Sequence, residues 1–283
     1  MRSVKFLVAA GAASLLSSTA FAADMPSIMP PPPAQYYAPP PVQDFGGWYL
    51  RGDIGMTNTS GKLFSQSYNL PSTLSVQQLG QGFTGGTSYD VGVGYRFNNW
   101  FRADITGEYR SKVAFGGTDF AQIGGLGPIS DVYSGNYSSW VGLVNAYADL
   151  GTWWCLTPFV GAGVGFARNS FSGLEDLGTI PSPGVGSVNS ASYFAEGASK
   201  TSLAWALYAG VAYKVTNNFT VELAYRYLNL GTAVTGTGSS FDGTNAGSPP
   251  FQFNNLTSQD VKIGVRWTCC DYEPPPPPLV RKG

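Results

Sequence analysis

Arginine and aspartate recur two residues apart in this chain, as Arg51 with Asp53 and Arg102 with Asp104, and Glu108 continues the second series. In an extended strand such residues share a face, so each pair stands side by side and can neutralise its own charge. Paired carboxylates such as Asp104 and Glu108 would also suit glycoside hydrolysis, but arginine on the same face makes ion pairing the simpler chemistry. Gly161-Ala162-Gly163-Val164-Gly165 resembles a nucleotide loop in its spacing. It lacks a following helix, however, and is explained by small residues on one face of a strand. The chain contains no histidine, which removes Ser-His hydrolysis, His-assisted cysteine chemistry and every His-ligated metal site. Cys155, Cys269 and Cys270 are too few for a disulfide scaffold and wrongly spaced for zinc. No catalytic, cofactor or metal site is expected.

The elements that carry these charges alternate with period two. Eight segments show it: Trp48 to Thr57, Tyr89 to Phe97, Phe101 to Tyr109, Trp140 to Leu150, Pro158 to Phe166, Leu203 to Val215, Phe219 to Tyr227, and a last one ending at Trp267. In the third, Phe101, Ala103, Ile105 and Tyr109 oppose Arg102, Asp104, Thr106 and Glu108. The connections after segments two, four and six are short, and the others are long and rich in Gly, Ser, Thr and Asn. Strict alternation of short and long connections is the pattern of outer-membrane barrels, with periplasmic turns at one end and outer loops at the other.

Composition points the same way. Charged residues make up only 12% of the chain, about half the usual share, yet no long apolar run follows the N-terminus. Arg2 and Lys5 precede an apolar stretch from Phe6 to Leu16 and the small-residue site Ala20-Phe21-Ala22, which reads as an export signal cleaved after Ala22. Removing that leader takes the formal net charge from −1 to −3, so nucleic acid is not an expected partner. The expected organisation is a signal peptide over 1–22, a proline-rich periplasmic segment over 23–45, the barrel over 46–267 and a proline-rich periplasmic tail over 268–283.

Periodicity does not say which face points inward, since a soluble lipocalin-like barrel shows the same alternation reversed. Aromatic placement decides. Trp48, Trp100, Trp153, Trp154, Phe219 and Trp267 collect near the short turns, whereas Tyr89, Tyr109, Trp140, Phe166 and Tyr227 collect near the long connections. Two such rings are the girdles of a membrane-spanning barrel. The fold class expected is therefore all-β, an eight-stranded antiparallel up-and-down transmembrane barrel.

Eight tilted strands close a cylinder of roughly 16 Å, which side chains fill. The first three segments place Arg51, Asp53, Asp90, Arg96, Arg102, Asp104 and Glu108 in that lumen. The later ones add Asp149, Lys214, Glu222, Arg226, Asp260, Lys262 and Arg266, with glycines making room for the long arginines. A paired structural core is the simple reading and a narrow polar path the functional one. Cys155 lies on the same side of the barrel as Cys269 and Cys270, so a disulfide to either is a candidate.

Pro158 to Gly165, Ala224-Tyr225-Arg226-Tyr227 and Val261 to Trp267 together resemble the alphaproteobacterial outer-membrane surface-antigen family, within the opacity-like superfamily of eight-stranded barrels. The resemblance covers roughly residues 45 to 267 and implies an abundant envelope protein with antigenic loops, not an enzyme. It implies as surroundings and partners the outer-membrane lipid, lipopolysaccharide and the barrel-assembly machinery. That machinery would read Val261 to Trp267, here followed by 16 further residues. Family members can be tied to peptidoglycan through the mature N-terminus, a pattern that Ala23-Asp24 matches. Two functions remain open: a structural surface barrel passing at most small solutes, or a binding module using loops at about 59–83, 111–138, 168–200 and 229–255. The latter would contact host surfaces, phage or haem, and haem would need a tyrosine or an apolar pocket here.

Overall fold

The computed structural model describes residues 46–64, 73–124, 127–181, 188–243 and 246–269. The leader, Ala23-Asp24, both proline-rich segments and Cys270 lie outside the described residues.

Eight strands close a ring. They are β1 (Gly47–Phe64), β3 (Gly86–Arg96), β4 (Phe101–Ile123), β5 (Gly127–Asp149), β6 (Leu156–Pro181), β8 (Ala198–Lys214), β9 (Phe219–Val234) and β11 (Gln252–Thr268). Each pairs antiparallel with the next, β1 with β11 starts the circuit, and β6 with β8 closes it across the additional strand between them. The charged parity is the inner one. Val93, Ile105, Leu207, Val261 and Ile263 are exposed, whereas Arg102, Asp104, Glu108 and Asp260 are almost wholly buried. Apolar side chains directed outward and ions directed inward are what a bilayer selects, since only lipid rewards an oily outer wall.

Short turns join the strands at one end. Asn98 caps the β3–β4 turn by accepting from the backbone N–H groups of Trp100 and Phe101 at 3.0 and 2.7 Å. Thr216 accepts from Phe219 N–H across the β8–β9 turn.

At the other end the long connections depart from loops. Strands β4, β5 and β6 run for 23, 23 and 26 residues. At ~3.3 Å per residue and ~40° tilt they rise about 60 Å, against an apolar band of ~25 Å. Three further strands, β2 (Thr73–Phe83), β7 (Val188–Ala195) and β10 (Gly238–Ser240), pair with β4, β6 and β7 respectively. The sequence signal was weak where an extension crosses a register shift. One lies between Arg110 and Val113 in β4, another between Ser60 and Lys62 in β1, and others between Phe253 and Thr257 in β11. A bulge adds one residue to one strand and moves the inward set to the opposite parity.

Candidate functional site: the lumen and its outer closure

On β4 the inward residues are Arg102, Asp104, Thr106, Glu108 and Arg110 below the bulge, and Val113, Phe115, Asp119 and Ala121 above it. The lumen is thereby divided into an ionic layer within the membrane and an apolar layer outside it.

The ionic layer has two connected centres. Toward the periplasm, Arg51 holds Asp53 through two bonds of 2.9 and 3.0 Å, and reaches Asp104 at 3.0 Å and Tyr147 Oη at 2.9 Å. Arg102 contacts Asp149 and Glu222 at 3.3 Å each and stacks on the Tyr147 ring, 4.2 Å from its centroid. Arg266 joins the same Glu222 at 2.8 Å. Farther out, Arg226 makes a two-bond fork to Glu108 at 2.6 and 2.7 Å and also grips Asp260 at 2.6 Å. Lys262 bridges Asp90 and Glu108. Forked guanidinium–carboxylate pairs hold register as well as charge, and this one ties β4 to β9 across the barrel.

The cations Arg51, Arg96, Arg102, Arg110, Arg226, Lys262 and Arg266 are matched one for one by Asp53, Asp90, Asp104, Glu108, Asp149, Glu222 and Asp260. Arg96 and Asp149 are only half-buried, at the periplasmic rim.

Arg110 belongs to this network although the eight segments did not include it. It reaches Asp260 at 2.9 Å, Glu108 at 3.1 Å and Ser258 at 2.5 Å. Its parity with Glu108 was the available signal, obscured by the bulge that follows. Lys214, by contrast, is not in the lumen. It ends β8 at the rim, where its side chain is exposed and its backbone N–H donates to Cys155 O. The lumenal glycines serve rings and short polar groups more than arginines. A side chain at Gly94 would strike the Tyr49 ring, at Gly161 the Tyr147 ring and at Gly163 the Asn145 amide. These groups complete the network: Tyr49 donates to Asp104 at 3.0 Å, and Asn145 donates to Asp104 at 2.8 Å while accepting from Tyr208.

Above Arg110, five rings cross the lumen. Phe83 meets Phe115 and Tyr137, with centroids 5.0 and 5.4 Å apart. Phe253 stacks on Phe171 at 4.5 Å and meets Phe115 at 5.0 Å. Leu228, Leu230, Ala233 and Leu256, all fully buried, fill the spaces between. Asn169 is satisfied within the plug, accepting from Tyr137 at 2.8 Å and donating to the carbonyls of Leu230 and Thr232.

The aromatic residues near the short turns, Trp48, Trp100, Trp153, Trp154, Phe219 and Trp267, are all exposed. Tyr89, Tyr109, Trp140 and Phe166 are exposed on the outer half of the barrel wall. Cys155 and Cys269 are both free thiols, which corrects one of the two candidate pairings. Cys155 sits beside β8, while Cys269 bonds to Trp48 of β1. Three steps around a ring of eight separate them by about 15 Å on a ~16 Å cylinder, and a disulfide needs Cα atoms within ~7 Å.

Residues 8–268 match the family model described as "Outer membrane protein beta-barrel domain". The chain belongs to that family. It is accordingly an outer-membrane β-barrel protein, and curated relatives align with it over most of their own length. An uncharacterised protein of Brucella abortus is 32% identical, over 78% of this chain and 84% of the relative. A Rickettsia bellii protein provisionally named an adhesin is 27% identical, over 78% and 87%. Among solved structures, this outer-membrane barrel is similar to OprG of Pseudomonas aeruginosa, at 11% identity and a TM-score of 0.43, over 80% of this chain and 98% of that one.

Proposed function

We propose that this outer-membrane barrel is a non-enzymatic surface-binding protein that acts through its outer strand extensions and does not conduct solutes. The aromatic layer carries the reading. A path for small solutes needs a continuous polar lining, and Phe83, Phe115, Tyr137, Phe171 and Phe253 interrupt it above an ionic layer whose charges are already paired. Long extensions stiffened by strand pairing suit a protein that projects contact residues beyond the head groups. The adhesin name of the Rickettsia bellii relative is consistent with this role. Export with cleavage after Ala22 belongs to the same proposal, and N-terminal sequencing of the mature protein tests it.

The main test pairs two measurements on the full chain. Planar-bilayer recording is expected to show no steady conductance. Beads or cells displaying the protein are expected to bind epithelial surfaces, and to lose that binding when the β4–β5 tip, residues 119–131, is replaced by a short Gly-Ser turn. Heat-modifiable gel mobility establishes that the shortened barrel still folds. Steady wild-type conductance, or binding indifferent to the tip, overturns the proposal.

A further inference from the structure

Six large apolar residues stand on the outward face of the strand extensions. Leu79, Phe120, Val132, Leu177 and Phe194 are between 43 and 49% exposed, and Phe241 is 87% exposed. On β4 and β5 the alternate residues Phe115, Asp119, Ala121 and Tyr133 are the buried ones, so the outward set takes no part in the plug. Val132 lies eight residues above Trp140 on β5, and Leu177 lies eleven above Phe166 on β6. At ~3.3 Å per residue and ~40° tilt those steps rise roughly 20 and 28 Å beyond the outer aromatic ring. Acyl chains end at that ring, so lipid does not account for these side chains.

Strand register draws them into one patch. Leu79 pairs with Thr118, Thr118 with Val132, Val132 with Leu177 and Leu177 with Ser192, a single rung across β2, β4, β5, β6 and β7. Phe241 extends that rung, since its backbone N–H donates to Ser192 O at 2.9 Å. Phe120 stands one rung farther out on β4, in line with Ser130 and Thr179. Phe194 stands one rung nearer the membrane on β7, in line with Glu175 and Ser134. Glu175 is the one charged side chain described on these three rungs. A contiguous apolar patch bathed in water and rimmed by polar groups marks a surface that another protein covers.

We propose that this face packs against the same face of a second copy of the chain, the two barrels standing parallel in one membrane. Symmetric pairing sets like against like, so it cannot draw on opposite charges. A face with a single carboxylate meets that condition, and it offers a charged partner little to hold. Five strand spacings of ~4.8 Å by three rungs about 7 Å apart span roughly 500 Å². Over two copies this reaches about 1,000 Å², the threshold of a specific interface and small for freely diffusing chains. Two barrels in one membrane already share height and axis direction, so they lose less freedom on meeting. Pairing is therefore expected in bilayers and is weaker in micelles. The inference goes beyond the surface-binding proposal and stands without it, because no host surface takes part.

The test uses the full chain at low density in lipid vesicles, free of host material. In a background of Cys155→Ser, Cys269→Ser and Cys270→Ser, Val132→Cys is expected to cross-link into a dimer under mild oxidation. Gln259→Cys, exposed on β11 at the far side of the ring, is expected to stay monomeric. Single-molecule photobleaching of the wild-type chain should count two copies per spot. Val132→Lys with Leu177→Lys should weaken pairing at least about tenfold, because like charges then meet across the two-fold axis. Heat-modifiable mobility checks that this variant folds, and if it does not, the two cysteine positions decide alone. Equal cross-linking at both positions, one copy per spot in the wild type, or a double variant pairing within twofold of wild type overturns the proposal. Single copies that bind epithelial cells through Phe120 and Leu177 overturn it as well, and assign the face to a host protein.

Discussion

Arg226 shows what a single buried side chain contributes here. It is almost wholly buried and holds two carboxylates from different strands, Glu108 and Asp260. Replacing it with alanine leaves both acids without a close cation except Lys262 and Arg110. Breaking one side of a buried pair costs about 3–5 kcal/mol, so Arg226→Ala should lower the urea midpoint of the folded, heat-modifiable form markedly. Arg226→Ala combined with Glu108→Ala should cost less than the sum of the two singles. Additive losses in that double-mutant cycle would show that the fork is not a unit.

Outside the membrane, Asp176 behaves differently. Burial and the nearby charges of Asp131 and Asp119 push its carboxyl from 3.8 up to about 8. The folded protein therefore keeps this proton over a range where the unfolded chain has lost it. The outer β5–β6–β7 wall should be most stable below about pH 4, lose stability as pH rises toward 8, and change little beyond that. Hydrogen exchange of residues 174–180 at several pH values checks this. Asp176→Asn should flatten the dependence, and an unchanged slope would remove Asp176 as its cause.

The bulge in β4 decides what each half of that strand faces. Arg110 is inward below it and Val113 and Phe115 are inward above it, so the two halves obey opposite parities. Deleting Ser111 should remove the extra residue, leaving Lys112 alone outward between Arg110 and Val113 and Phe115 still inward, so that β4 pairs with β5 without a register shift there. The expected outcome is a barrel that remains heat-modifiable and whose tip resists protease at least as well as the wild type. Faster cleavage of the tip would mean that the bulge itself is needed to seat the aromatic layer. Phe253→Ala acts on the same plug from β11, and a buried ring lost from such a core costs about 3–5 kcal/mol.

The assembled barrel separates its charges by depth. Equal numbers of cations and anions occupy the ionic layer of the lumen, while the other described carboxylates, Asp119, Asp131, Glu175, Asp176, Glu196 and Asp242, all belong to the outer extensions. Closure of the lumen is a property of this arrangement as a whole. With the plug in place no steady current is expected. Phe115→Ser with Phe253→Ser should admit water to the outer half, yet conductance should stay low because the paired layer beneath still blocks the path. A large current in that double variant would place the only barrier in the rings.

Most of the membrane-spanning part was legible without coordinates. Alternation is local, and lipid forces every strand to obey it, so Arg102, Asp104, Val93 and Ile105 declared their faces through neighbours two residues away. Short and long connections declared the strand count in the same way. The outer half was not legible, because each bulge changes parity at a point that only the partner strand defines. Phe115, Phe171 and Phe253 share no local pattern, and their convergence depends on how β4, β6 and β11 are registered around the ring. Lys214 was misplaced, and the candidate pairing of Cys155 with Cys269 was left open, for a related reason. Chain order gives the face or end of a barrel on which a residue lies, but distance around the circumference and depth at the rim arise only when the cylinder closes.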